Sequence, residues 1–257
     1  MPLDPRTGVF YALHGPADGV PLMIGLPLFA SIEAVLGPEA LPVQQAYLAA
    51  LTDRYRVLLV DYPSIGGSAD IAPEALTVER VCRDLLGVAG AAGFDRFACW
   101  GYSWGGAMAL QLAVRSARVS ALVMGGWPPL DAPYAAILAA ARLKAPAPEP
   151  SSMKVLRNAA QYRQWITCYE SLQGWDEAAA VRSLAIPRLL MFGAEGDLVE
   201  AGIEVPIASR CRARRAGLQA QGWEVHEVPG QGHGLCMQPG LVLPPVRAFL
   251  DRSLPRS

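Results

Sequence analysis

A serine, three histidines and a handful of carboxylates carry the chemistry this chain can do, and their spacing narrows the choice. Ser103 lies in Gly101-Tyr102-Ser103-Trp104-Gly105-Gly106, with glycines two residues to either side. A short apolar run, Arg96 to Trp100, precedes it, and Ala107 to Val114, rich in Ala and Leu, follows it. Strand, tight turn and helix in that order form a nucleophile elbow, which lifts a serine hydroxyl clear of a sheet. The glycines are expected because a Cβ at Gly101 or Gly105 would collide with neighbouring backbone. The turn also sets the N–H groups of a helix N-terminus beneath an oxygen that gains negative charge.

A serine hydroxyl needs a base with a pKa near the working pH, which points to histidine. His14 comes early, before a turn, and His226 falls inside an apparent strand. His233, in Gly230-Gln231-Gly232-His233-Gly234 after the last strand, is the favoured base, because small residues there can present the imidazole to the sheet's carboxyl edge. A carboxylate should orient it. Asp197, in Gly193-Ala194-Glu195-Gly196-Asp197, follows a strand and is preferred, with Glu195 and Asp131 as rivals. The order Ser103, Asp197, His233 is one of the known chain orders of a catalytic triad.

Composition sets the frame. The 257 residues allow one large α/β domain with a modest insertion, and 52% hydrophobic content fits a packed interior. A net charge of −1 argues against nucleic acid as a partner. No secretory signal is expected at the N-terminus, and no apolar run reaches membrane-spanning length. Five cysteines without CxxC spacing read as reduced thiols of a cytoplasmic protein. With only three scattered histidines no metal site is expected, and no cofactor either.

Strands are expected at 9–13, 21–25, 55–61, 96–100, 119–124, 188–193 and 223–228. Helices are expected at 43–54, 78–92, from about 107, at 206–222 and at 243–252, and 29–42 reads as irregular. Thr77 is a plausible N-cap for the second helix. Alternation of strand and helix calls for a mostly parallel sheet of about seven or eight strands with helices on both faces. The alternation breaks between 130 and 186, where two or three helical segments follow one another. Residues 130–186 are therefore expected to form a small helical cap inserted into a core made of 1–129 and 187–257. Lys144-Ala145-Pro146-Ala147-Pro148-Glu149-Pro150 within it reads as a stiff extended connection.

Four stretches together resemble the α/β-hydrolase superfamily over nearly the whole chain: the Ser103 elbow, Gly193 to Asp197, Gly232-His233, and Asp61-Tyr62-Pro63-Ser64-Ile65-Gly66-Gly67-Ser68. The last is similar to the family's Asp-x-x-Gly-x-Gly-x-Ser loop, with Ser64 in place of the first glycine. The family's His-Gly-x-Pro loop corresponds here to Ile24-Gly25-Leu26-Pro27, without the histidine. The resemblance implies a serine hydrolase with Leu26 and Trp104 N–H groups as its oxyanion hole. It also implies two-step acyl transfer on a small to medium carboxylic ester, lactone or thioester as the small-molecule substrate.

The elbow is similar to that of proline iminopeptidases, and carbon–carbon bond hydrolases share the scaffold, so those bonds are alternatives. A ligand-binding homologue without turnover is a third. Tyr162, Trp165, Ile166 and Tyr169 share a helical face, which either lines a substrate pocket or packs the cap onto the body; Trp127 has the same ambiguity. The run Arg210, Arg212, Arg214 and Arg215 reads as a solvated helix face.

Overall fold

The computed structural model describes residues 3–148, 155–156 and 158–254. Its first strands and helices are β1 (Tyr11–His14), β2 (Val20–Ile24), α1 (Ile32–Leu36), α2 (Leu41–Leu51), β3 (Tyr55–Val60) and α3 (Val78–Ala91). Then come β4 (Phe97–Tyr102), α4 (Trp104–Arg115), β5 (Val119–Gly125), α5 (Tyr134–Lys144), α6 (Arg163–Glu170) and α7 (Glu177–Ser183). The chain closes with β6 (Arg188–Glu195), β7 (Leu198–Glu200), β8 (Ile203–Val205), α8 (Ile207–Ala220), β9 (Trp223–Gly232) and α9 (Pro239–Ser253).

Seven strands form one sheet in the order β1-β3-β2-β4-β5-β6-β9. Only β1 runs antiparallel to its neighbour; the other pairings are parallel. The central strands are continuously apolar because helices cover both faces: all six residues of β4 are buried. Helix α4 is buried along most of its length, so its apolar residues run all round it rather than in a stripe.

From β2 the chain crosses to β3 on one side and then to β4 on the other. The crevice at the carboxyl ends of β2 and β4 is thus the switch point of the sheet, where open α/β folds place their sites. Buried Asp61, just past β3, ties the loops there together. It accepts hydrogen bonds from Ser31 N (3.1 Å), Gly67 N (2.8 Å) and the Ser31 hydroxyl.

Several elements differ from the sequence reading. Residues 29–42 hold α1 and a 3₁₀ turn instead of irregular chain. Helix α9 starts at Pro239, four residues earlier than expected, although Pro244 and Pro245 lie inside it. The carbonyls those prolines leave unbonded belong to Gly240 and Leu241, which are exposed to water. Ala145 to Ala147 fold back in a turn closed by Ala145 N→Ala141 O (3.0 Å) and Ala147 N→Lys144 O (3.1 Å), so that part of the connection is not extended; residues 149 and 150 lie outside the described set. The β7–β8 hairpin has no counterpart among the strands expected from sequence. Thr77 does cap α3, its hydroxyl accepting from Arg80 N at 3.2 Å. Between β5 and β6 the described residues hold α5, α6 and α7 and no strand. No helix among the described residues is long and apolar enough to cross a membrane.

Candidate active site

Ser103 sits at the joint between β4 and α4 with φ 54° and ψ −128°, a left-handed conformation that a side chain rarely adopts. Ser103 N donates to Gly125 O (2.8 Å) on β5, and Tyr102 N donates to Leu26 O (2.9 Å) on the loop after β2. The turn is so tight that a Cβ on Gly101 would lie 2.1 Å from the carbonyl oxygen of Gly105. A Cβ on Gly105 would meet Leu26, at 2.9 Å from its Cβ. The backbone thus fixes the serine, and it fixes the Leu26 loop against it.

His233 opens a 3₁₀ turn directly after β9, and its Nε2 lies 2.9 Å from Ser103 Oγ. The turn is held from outside by the Tyr47 hydroxyl of α2, which donates to Cys236 O at 2.8 Å. The Tyr102 ring packs 5.6 Å from the imidazole. Burial lowers the His233 pKa below its ordinary value; the charge of Glu200 and the carbonyl of Gly196 oppose that shift. His14 and His226 are elsewhere, on a surface groove beside Ser31 and Glu33 and on β9 facing Arg252 and Pro245 respectively. The Cys236 thiol, raised to about 12 by burial, stays protonated at neutral pH and is no nucleophile.

The carboxylates do not arrive where the sequence reading sends them. Asp197 is exposed and both its oxygens are engaged by Ser209, one by the backbone N–H (3.0 Å) and the other by the hydroxyl. The physical reason lies in α8. Its N-cap is Pro206, which has no side-chain acceptor, so the N–H at the third helical position takes Asp197 instead. Asp131 bonds Arg214, and Glu195 is exposed. His233 Nδ1 is buried, with no hydrogen bond of good geometry among the described residues.

The two expected oxyanion donors lie on either side of the elbow. Trp104 is the first residue of α4, so its N–H has no intrahelical acceptor. Leu26, joined to Pro27 by a cis peptide bond, packs on Gly105, and its N–H lies against the Tyr62 hydroxyl. Tyr62 is a partner the sequence did not reveal. It is buried, stacks edge-on to Trp104 (4.7 Å between centroids), and fills the space beside Gly25.

Above Ser103 and His233 opens a cavity of about 550 Å³ whose wall includes Leu26, Trp104, Trp127, Tyr162, Trp165 and Tyr169. Trp127, Tyr162, Trp165 and Tyr169 thus line the cavity that opens at the serine, and Ile166 of the helical stripe is outside its wall. Phe29, Ile65, Leu198 and Ile207 add apolar surface. Lys144 and Glu200, ion-paired to each other, are its ammonium and carboxylate among the described residues. Three of the arginines on α8 are taken up in surface pairs, Arg212 and Arg215 with Glu227 and Arg214 with Asp131.

Comparison with known proteins places the fold. The profile of the Alpha/beta hydrolase family matches residues 14–243. The chain belongs to that family. Hydrolysis is the broad activity that the membership supports. A "Putative carbamate hydrolase RutD" of Cronobacter turicensis is 36% identical over 80 residues, which is 30% of this chain and 30% of that protein. The chain thus matches under a third of that relative's length. Among solved structures, the enol-lactonase from Burkholderia xenovorans superposes with a TM-score of 0.70 at 18% identity, over 94% of this chain and 96% of that one. An esterase from Thermogutta terrifontis gives 0.69 at 18% identity, over 95% and 93%. At such identities the likeness is one of fold.

Proposed function

We propose that this hydrolase cleaves a small to medium carboxylic ester, lactone or thioester through an acyl-enzyme on Ser103. The observation that carries the reading is the 2.9 Å contact between His233 Nε2 and Ser103 Oγ at the floor of a largely apolar cavity. His233 takes the Ser103 proton as Oγ attacks the carbonyl carbon. The Trp104 N–H holds the resulting oxyanion, and the Leu26 N–H joins it by turning from the Tyr62 hydroxyl. Collapse expels the alcohol or thiol, to which His233 returns the proton. Water then repeats the sequence on the acyl-enzyme and frees the acid. The helices of 130–186 act as a cap that walls the acyl pocket with Tyr162, Trp165 and Tyr169, and Trp127 closes the pocket from the β5 side. Five free thiols, four of them buried, support a cytoplasmic location.

The test is covalent labelling by a fluorophosphonate. Ser103→Ala should abolish labelling and reduce turnover at least about 10³-fold; labelling or turnover that survives it refutes the reading. A panel of aryl esters, lactones, thioesters and aminoacyl amides then assigns the bond. Carbamates join it because of the partial likeness noted above, and preference for aminoacyl amides supports an iminopeptidase-like enzyme instead.

A further inference from the structure

Among the described residues no carboxylate is bonded to the base of the proposed site. Asp197 is held by Ser209, Asp131 by Arg214, and Glu195 faces solvent. Yet the imidazolium formed during acyl transfer sits in a buried place, where an uncompensated charge is expensive. The Gly196 carbonyl beside the ring is a dipole without net charge.

Glu200 belongs to the same cavity as Ser103 and His233. It ends β7, the strand that leaves the loop containing Gly196, and it is ion-paired with Lys144 at the last turn of α5. The contact spans the two parts of the chain, one residue from the core and one from the 130–186 insertion. Its side chains are mostly sheltered, at 13% exposure for Lys144 and 30% for Glu200. Shelter of that order leaves Coulomb effects on a neighbouring ring far less screened than at an open surface.

We propose that Glu200 is a positioning carboxylate of this site: its charge stabilises the His233 imidazolium from across the cavity while the Gly196 carbonyl orients Nδ1, and Lys144 sets how much of that charge the ring feels. The inference rests on the Ser103–His233 reading and replaces its expected third member. The direction of the Glu200 effect on His233 agrees with it. The other titratable groups described around the ring do not compete. Tyr102 of β4, Tyr47 of α2, Cys211 of α8 and Tyr169 of α6 are all raised by burial, and Cys236 is raised to about 12. Tyr162 is a phenol of the same cavity wall, and Glu195 and Asp197 flank Gly196 with their side chains exposed.

The pair allows a test that a purely structural clasp fails. Cutting a clasp from either end should have the same effect, whereas removing opposite charges should move the ring in opposite directions. With only three histidines, His233 can be followed by NMR titration of isotope-labelled protein, without knowledge of the substrate. Glu200→Gln should lower the His233 midpoint and Lys144→Gln should raise it, each by about half a pH unit or more. The charge-keeping Glu200→Asp and Lys144→Arg should return it most of the way, and Asp197→Asn should leave it nearly unmoved. Shifts of the same sign in the two Gln variants, no shift in either, or a larger fall with Asp197→Asn overturn the proposal. Each Gln variant carries its own sign, so one that fails to fold leaves the other decisive. Fluorophosphonate labelling of the same samples keeps the two ideas apart. Absent Ser103-dependent labelling refutes the nucleophile, while the titration alone judges Glu200.

Discussion

Gly25→Ala isolates the oxyanion loop, and its effect follows from one close approach. The added Cβ would lie 2.1 Å from the Tyr62 hydroxyl and 3.0 Å from Cζ, whereas real Cβ contacts essentially never fall under 3.0 Å. Something must therefore retreat by roughly 0.9 Å. Tyr62 has little room to do so, because it is buried and its ring is pressed edge-on to Trp104, the neighbour of the proposed nucleophile. The strain passes instead to Leu26, whose carbonyl is bonded to Tyr102 N and whose N–H is a proposed oxyanion donor.

Overpacking of this kind costs about 1–3 kcal/mol, and each kcal/mol lowers Tm by roughly 2–4 °C in a chain of this size. Displacing an oxyanion donor costs on the order of 10²–10³ in kcat. Gly25→Ala should show both losses, in a thermal melt and in kcat on an aryl ester. Tyr62→Phe in the same chain should recover much of each, because deleting the oxygen removes the 2.1 Å clash and leaves only the 3.0 Å one. Wild-type turnover in Gly25→Ala refutes the role given to Leu26. A double variant no better than the single one refutes the clash as its cause.

Burial lowers the His233 pKa, and the base works only when neutral, so the acidic limb of kcat/KM should fall below the ordinary histidine value of 6.5. A limb at or above that value, read from a pH–rate profile, contradicts the assignment of the base. Asp197→Ala should cost about 1 kcal/mol in a denaturant titration, because α8 loses the acceptor that Pro206 cannot supply. By the same logic Asp197→Asn, which keeps an acceptor, should cost less; if Asp197→Ala instead removes all turnover with stability intact, the carboxylate serves His233 after all.

The architecture was legible wherever the backbone forced a residue type. Buried parallel strands require unbroken apolar runs, and those runs located all the strands of the main sheet. The missed hairpin turns through Ala201 and Gly202, with φ of 51° and 78°. Two left-handed residues in succession are what a two-residue hairpin needs, but Ala is a poor advertisement for that conformation where Asn-Gly would have announced it. Helix α9 runs longer than expected for the opposite reason: Pro244 and Pro245 signal a break, yet the carbonyls of Gly240 and Leu241 that they leave unbonded meet water and the helix continues.

The same distinction explains which parts of the candidate site could be read. Ser103 is announced by glycines that sterics make obligatory, and His233 follows a strand whose end admits few alternatives. A carboxylate has no such backbone signature, because one acid in a loop can cap a helix, pair with arginine or face an imidazole, and its position relative to a strand end does not choose among these uses. Asp197 has the expected position, but Pro206 leaves a helix without a cap, and the nearer demand takes it. Glu200 lacks the expected position, yet a two-residue turn folds β7 against β8 and brings its side chain to the cavity. Assigning an acid therefore requires knowing what every neighbouring donor lacks, which the elbow pattern alone does not contain.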